Sequence, residues 1–150
     1  MLVQFSRAAQ ICGLTEHQLK EWCMRRRLVQ PDVPASGRGN NALFGWRSLL
    51  AVRILAALHL RFGGTVSHWG PLVEQFRVSL EGCSFLALHG QAFVSDGHTV
   101  SLRPAGAVAG EPSACIMLPL AEHLSVIAAA LGHQNADPQL QFLLPVVVNR

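Results

Sequence analysis

A glycine turn separates two short helical segments near the N-terminus of this chain. Residues 6–12 have a small apolar face, and Gly13 is typical of a residue that ends a helix. Thr15 and Gln18 follow in the S/T-x-x-E/Q pattern that begins a second helix. We therefore predict a first helix capped by Ser6 and a second helix that starts at Thr15. Two short helices joined by a tight turn form a helix-turn-helix.

The residues after the second helix predict a wing. Arg25–Arg27 close that helix, because Pro31 and Pro34 do not allow it to continue. The segment Ser36–Asn41 is rich in turn residues and precedes an apolar pair, which is typical of a hairpin or wing.

Two longer helices are predicted next. Apolar residues recur at helical spacing from Trp46 to about Arg61, and Gly63 and Gly64 end this helix. A further helix is predicted over Val66–Phe76, with Pro71 near its start or breaking it in two.

After Leu80 the pattern becomes strand-like. The predicted strands are Cys83–His89, Gln91–Ser95, His98–Arg103, Ala114–Leu118 and Leu140–Val148. Asp96 and Gly97 predict a two-residue hairpin turn, and an amphipathic helix is predicted from about Leu120 to Leu131. The predicted fold class is α+β, with a winged helix-turn-helix over residues 1–78 and a small α+β module over residues 79–150.

Half of the 150 residues are apolar, which is enough to bury a compact core. The longest apolar stretch, Cys115–Leu131, is interrupted by Pro119 and charged or polar residues, so no membrane span is predicted. The N-terminus lacks the pattern of a secretory signal, and we expect a cytoplasmic protein. No CxxC pair occurs, so we expect all the cysteines to be reduced core thiols: Cys12, Cys23, Cys83 and Cys115.

The charges divide unevenly along the chain. Ten basic and four acidic residues lie before Ser79, a net charge of +6, whereas two basic and five acidic residues follow, a net charge of −3. A basic first half indicates contact with a polyanion, and the second half is expected to do something else.

The first half resembles the MerR-type winged-helix DNA-binding domain. The residues that carry the resemblance are Phe5, Ser6, Ala8, Ala9, Cys12, Gly13, Leu14, Thr15, Leu19, Lys20, Glu21, Trp22, Leu28, Val29, Pro31, Phe44, Leu49, Leu50, Arg53, Ile54, Leu58 and Gly64. The family usually has a glycine just before the apolar exit, where this chain has Arg26 and Arg27 and about one extra residue. The family's long dimer helix is not evident after Val78. The second half looks like the β-containing module of small MerR-like proteins, chiefly through Phe93–Gly97.

The resemblance implies that the second helix enters the major groove and that the wing lies along the DNA backbone of an inverted repeat. Thr15, His17 and Lys20 then occupy the groove-facing start of the second helix, and Arg38 occupies the place of the wing arginine. On chemical grounds Lys20 suits guanine, Gln18 suits adenine, and arginines suit phosphates. The predicted DNA-binding residues are Thr15, His17, Gln18, Lys20, Arg25, Arg26, Arg27, Arg38 and Asn40.

Other chemistry is less well supported by the sequence. Cys83, His89 and His98 form the best metal trio, but their spacing matches no zinc pattern. Ser95, Asp96 and His98 crowd around one turn, where their side chains diverge, so a catalytic triad is not expected. We therefore predict no enzyme, no metal and no cofactor.

We therefore expect a site-specific, DNA-binding regulator of transcription that acts as a homodimer through residues 79–150, and repression is the simpler mode of action. One alternative is a protein-interaction adaptor or antitoxin-like regulator. Another is an excisionase-like architectural DNA-binding protein. The second half could instead complete the core, form a pocket for a small effector or bind a protein partner.

Overall fold

The computed structural model describes residues 1–37, 41–107 and 114–132. These residues form a mixed α+β fold, as expected, with five α-helices and two small antiparallel sheets. The strands are β1 (Val3–Gln4), β2 (Leu43–Phe44), β3 (Gln91–Ser95), β4 (Val100–Pro104) and β5 (Ile116–Pro119). The helices are α1 (Phe5–Cys12), α2 (Glu16–Lys20), α3 (Trp46–Phe62), α4 (Val66–Ser79) and α5 (Ala121–Leu131). Arg38, Asn40 and the predicted strand 140–148 lie outside the described residues.

Helix α1 ends as predicted but begins differently. Gly13 adopts a left-handed conformation with φ of 68°, and its N–H donates to the Gln10 carbonyl at 3.2 Å. The predicted cap at Ser6 is wrong, because the N-cap residue is Gln4 and makes no side-chain cap. Pairing of β1 with β2 holds Gln4 extended, so the helix starts directly after the strand and Ser6 lies inside it.

The second helix starts with the predicted capping box and ends in a wider turn. The Thr15 hydroxyl accepts from the Gln18 backbone N–H at 3.1 Å, and the Gln18 side-chain oxygen accepts from the Thr15 N–H at 2.9 Å. Helix α2 then continues as a π-helical turn over Glu21–Arg25. In this turn the Arg26 N–H donates to the carbonyl of Glu21, five residues earlier, at 2.9 Å.

A short hairpin follows in the place of the predicted wing. Val33 and Leu43 exchange backbone hydrogen bonds of 3.1 and 2.9 Å. Leu43 also pairs with Gln4 of β1, so the hairpin is attached to the start of α1.

Helix α3 is the central helix of the core, and its residues from Ser48 to Leu58, except the half-buried Arg53, are buried. Helix α4 begins at Val66 and runs without interruption through the exposed Pro71. Gly70 brings α4 close to the chain after the second helix, because a Cβ there would lie 2.7 Å from the Leu28 side chain.

The second half forms a three-stranded sheet in the order β4-β3-β5. The predicted hairpin is present, but Ser95 pairs with Val100, so four residues form the loop rather than two. The Asp96 carboxylate stabilises this loop by accepting from the backbone N–H groups of His98 and Thr99 at 2.8 and 2.7 Å.

The predicted strand Cys83–His89 is wrong, because a 3₁₀ turn over Leu86–Leu88 occupies this segment. The Arg47 guanidinium donates to the carbonyls of Leu80 and Cys83 at 3.1 and 2.8 Å, so a side chain takes acceptors that a sheet would use. The ring of Phe85 packs edge-on against Trp46 at 5.3 Å.

The buried apolar residues of both halves belong to one continuous cluster. Phe76 of α4 packs edge-on against Phe93 of β3, with ring centroids 5.4 Å apart. The Gln75 side chain donates to the His98 carbonyl at 3.1 Å and accepts from the Val100 N–H at 3.2 Å. Helix α5 buries Leu124, Ile127 and Leu131 in the same core. In the described part of the chain, no helix is long and apolar enough to cross a membrane.

The cysteines are only partly as expected. Cys12 and Cys23 are buried free thiols, and burial raises the pKa of each to about 12. The prediction of a core position is wrong for Cys115, which is exposed just before β5, and Cys83 is only half-buried.

Candidate nucleic-acid interface

The predicted DNA-binding residues that the structure describes all lie on one exposed segment, residues 15–27, which we call the recognition segment. Leu19, Trp22 and Cys23 are buried and anchor this segment to the core. The seven predicted residues are all exposed: Thr15, His17, Gln18, Lys20, Arg25, Arg26 and Arg27. The spacing of the apolar residues thus determines which side chains remain available to a ligand.

His17 and Lys20 face a common groove of about 460 Å³. Residues of the recognition segment form one side of the groove, and Gln4, Ser6 and Asn41 contribute to its lining from α1 and the strand region. An imidazole and an ammonium group beside each other supply donors for acceptor atoms on base edges.

Thr15 and Gln18 cap the start of α2, and this role limits the contacts that they are predicted to make with DNA. The Gln18 side-chain oxygen accepts from both the N–H and the hydroxyl of Thr15, at 2.9 and 3.2 Å. A bidentate contact with adenine needs this oxygen as well as the amide nitrogen. The Thr15 N–H lies at a helix N-terminus, where such a donor can bind a phosphate, but it is engaged in the same cap. DNA contacts by Thr15 and Gln18 would therefore compete with the hydrogen bonds that begin the helix.

Arg25 and Arg26 are paired with Glu21, an acidic residue that is not among the predicted DNA-binding residues. Glu21 forms ion pairs with Arg26 Nε at 3.0 Å and with Arg25 Nη1 at 3.2 Å. Hydrogen bonding, first from Arg26 and then from Arg25, lowers the pKa of the Glu21 carboxyl. The i,i+4 spacing of Glu21 and Arg25 is a signal that sequence reasoning could have used.

Arg26 also joins the recognition segment to α4. Its Nη1 donates to the Ser67 hydroxyl at 3.0 Å. Ser67 is exposed near the start of α4, and 41 residues separate it from Arg26. Nothing local in the sequence indicates this contact, because only the packing of α4 brings the two residues together.

Arg27 ends the recognition segment in a conformation that side chains seldom adopt. Its φ is 53°, in the left-handed region, and it is the only residue other than glycine with positive φ in the described ranges. The next N–H, of Leu28, donates to the Trp22 carbonyl at 2.8 Å. Arg27 thus takes the conformation that glycine adopts at helix ends, while its side chain lines a groove of about 870 Å³ beside α4.

The remaining candidates from the sequence are a metal trio and a catalytic triad near the β3–β4 loop. Among the described residues, no group of three or more His, Cys, Asp or Glu side chains could hold a metal ion, so Cys83, His89 and His98 are not brought together. Ser95 and Asp96 both accept hydrogen bonds from backbone N–H groups of their own turn. No protein-family model matches the chain, and no curated protein matches it.

Proposed function

We propose that the chain is a site-specific, double-stranded DNA-binding regulator of transcription with a MerR-type winged helix-turn-helix in its first half. It acts in the cytoplasm as a homodimer and represses by covering its site. The observation that carries this proposal is the recognition segment, where a capped helix presents His17 and Lys20 to a groove beside three exposed arginines.

The two sets of side chains divide the work of recognition. Lys20 and His17 read acceptor atoms on base edges, because the major groove presents a distinct pattern for each base pair. Arg25, Arg26 and Arg27 bind phosphates, which fixes the orientation of the helix without reading sequence. The net charge of +6 before Ser79 supports this assignment.

Dimer formation through residues 79–150 gives the second half its role. This half follows the DNA-binding region where the family has its dimer helix, and its exposed apolar side chains include Leu86, Met117 and Val126. A dimer doubles the contacts and sets the spacing of two half-sites, which a single domain of this size needs for useful specificity.

The test is selection from a random duplex pool, followed by titration of the enriched site and of random DNA by fluorescence anisotropy. We expect an inverted repeat bound at least 1,000-fold more tightly than random duplex, which is the lower end for specific regulators. Light scattering on the same sample should give the mass of two chains. Lys20→Ala should cost about 1–3 kcal/mol at one base position of the site.

Arg27→Gln is the matched control, since loss of a phosphate contact weakens binding to every sequence alike. Equal effects of both variants on enriched and random DNA would contradict the role of Lys20. A monomer at micromolar concentration would contradict the dimer. Weak binding without sequence preference would contradict site-specific regulation and favour the adaptor or architectural alternatives.

A further inference from the structure

Glu21 lies at the centre of the arginine cluster and has two cationic partners. One carboxylate oxygen accepts from Arg26 Nε at 3.0 Å and the other from Arg25 Nη1 at 3.2 Å. The side chain of Arg25 is 65% exposed and that of Arg26 is 45% exposed. The carboxylate therefore occupies two of the three arginines that the proposed function assigns to phosphates.

Stability gives little reason for this arrangement. Ion pairs between exposed side chains contribute little to folding, because solvent screens them and two long side chains lose freedom. The effect on a polyanion is larger, because arginine contacts with phosphates supply most of the binding that ignores sequence. A carboxylate placed on these arginines reduces that binding and itself repels nearby phosphates.

We infer that Glu21 is a specificity-determining residue, which keeps Arg25 and Arg26 from the phosphates of non-cognate DNA and releases them when the recognition segment is seated on its site. The inference rests on the proposed function and adds a role for an acidic residue within it.

The geometry explains why release depends on sequence. His17 and Lys20 line the groove to which Gln4 of β1 also contributes, whereas Arg26, one of the two partners of Glu21, contacts Ser67 of α4. Base contacts by His17 and Lys20 draw the segment into the major groove and bring the arginines within reach of phosphates. On a wrong sequence those contacts are missing, and the arginines stay paired with Glu21.

Glu21→Gln tests the inference, because it keeps the size of the side chain and one acceptor oxygen while removing its charge. Each phosphate contact adds about 0.9 to the slope of log affinity against log salt, so two released arginines add about 1.8 for random duplex. We expect the affinity of the variant for random duplex to fall about tenfold more between 50 and 200 mM salt than that of the unchanged protein. The ratio of the affinity for the enriched site to the affinity for random duplex should fall.

Glu122→Gln is the matched control, since it makes the same change in net charge on α5, away from the recognition segment. It should leave both the slope and the ratio near their original values. Glu21→Gln is also made in a protein that already carries Arg25→Gln and Arg26→Gln. There it should change the salt slope and the affinity ratio no more than Glu122→Gln does. Thermal melting shows that each variant is folded.

The outcomes separate this inference from the proposed function. If the unchanged protein does not prefer an enriched site over random duplex, the proposed function fails. If it does prefer the site, but Glu21→Gln and Glu122→Gln behave alike, the inference about Glu21 is overturned and the proposed function stands.

Discussion

Among single residues, Arg27 has a strained backbone conformation that we relate to DNA binding. A left-handed backbone conformation costs a residue with a side chain about 1–2 kcal/mol relative to its preferred conformations. Glycine adopts this conformation without that cost. The chain has arginine at φ of 53° here, and this residue lines the groove beside α4. We interpret the strain as the cost of presenting a third cation.

Arg27→Gly should therefore make the protein more stable and weaken its binding to DNA. Relief of the strain should raise stability by about 1 kcal/mol, which corresponds to roughly 2–4 °C in the melting temperature of a chain of this length. Loss of one phosphate contact should lower the salt slope by about 0.9 for every sequence. Calorimetry and anisotropy titration measure the two effects.

Arg27→Lys is the control, because it keeps both the charge and the backbone strain and should change neither quantity much. A lower melting temperature for Arg27→Gly would mean that contacts of the arginine side chain outweigh its strain.

At the scale of elements, the recognition segment depends on its N-terminal cap. Helix α2 has only five residues before the π-helical turn, so few backbone hydrogen bonds hold it without help from tertiary contacts. The reciprocal hydrogen bonds of Thr15 and Gln18 satisfy donors that the first turn would otherwise leave unpaired.

Thr15→Ala should lower the free energy of unfolding by about 1 kcal/mol, the usual effect of losing a threonine cap. Ser6→Ala is a useful comparison, because the sequence predicts Ser6 as a cap while the structure gives its hydroxyl an exposed hydrogen bond to Glu16 at 2.7 Å. We expect Ser6→Ala to cost less than half as much. Urea titration of both variants measures the difference, and equal losses would contradict the assignment of the caps.

The elements with strong periodicity were the most predictable. Helices α3, α4 and α5 lie within a few residues of the predicted bounds, because apolar spacing and glycine ends are local signals. The segment Cys83–His89 was not predictable in this way. Its composition favours a strand, but Arg47, far away in sequence, holds the neighbouring carbonyls.

At the scale of the whole molecule, α5 packs on α3 and carries a buried histidine to this contact. His123 is 8% exposed, and within the described residues its Nδ1 has no hydrogen-bond partner. Burial, and then the positive charge of Arg53 on α3, lower the pKa of His123; Glu122 opposes this shift, and Arg61 adds to it. The folded protein therefore holds this imidazole neutral more strongly than the unfolded chain does.

Stability should consequently fall as the medium becomes acidic. The contribution is fully present above the ordinary histidine pKa of about 6.5 and is lost as pH falls through the lower pKa of the folded state, because the unfolded chain takes up the proton first. One such proton changes the free energy of unfolding by up to about 1.4 kcal/mol per pH unit. Urea midpoints at pH 7.5 and 5.5 measure the fall, and His123→Gln should reduce it. An unchanged pH dependence in that variant would contradict the assignment to His123.

Local signals in the sequence predict most of the helices and the exposed side chains of the recognition segment. Capping residues, glycine ends and apolar periodicity are local, so they identified the helix-turn-helix and the exposed faces of Thr15–Arg27. The packing of distant elements sets which of these side chains already have a hydrogen-bond or ion-pair partner in the protein. The hydrogen bonds of Arg26 with Ser67 and of Arg47 with Leu80 and Cys83 join residues distant in sequence. The electrostatic effect of Arg53 on His123 does the same, and all of these arise when α3, α4 and α5 pack into one core. Such contacts depend on the position of whole helices, which no local pattern specifies.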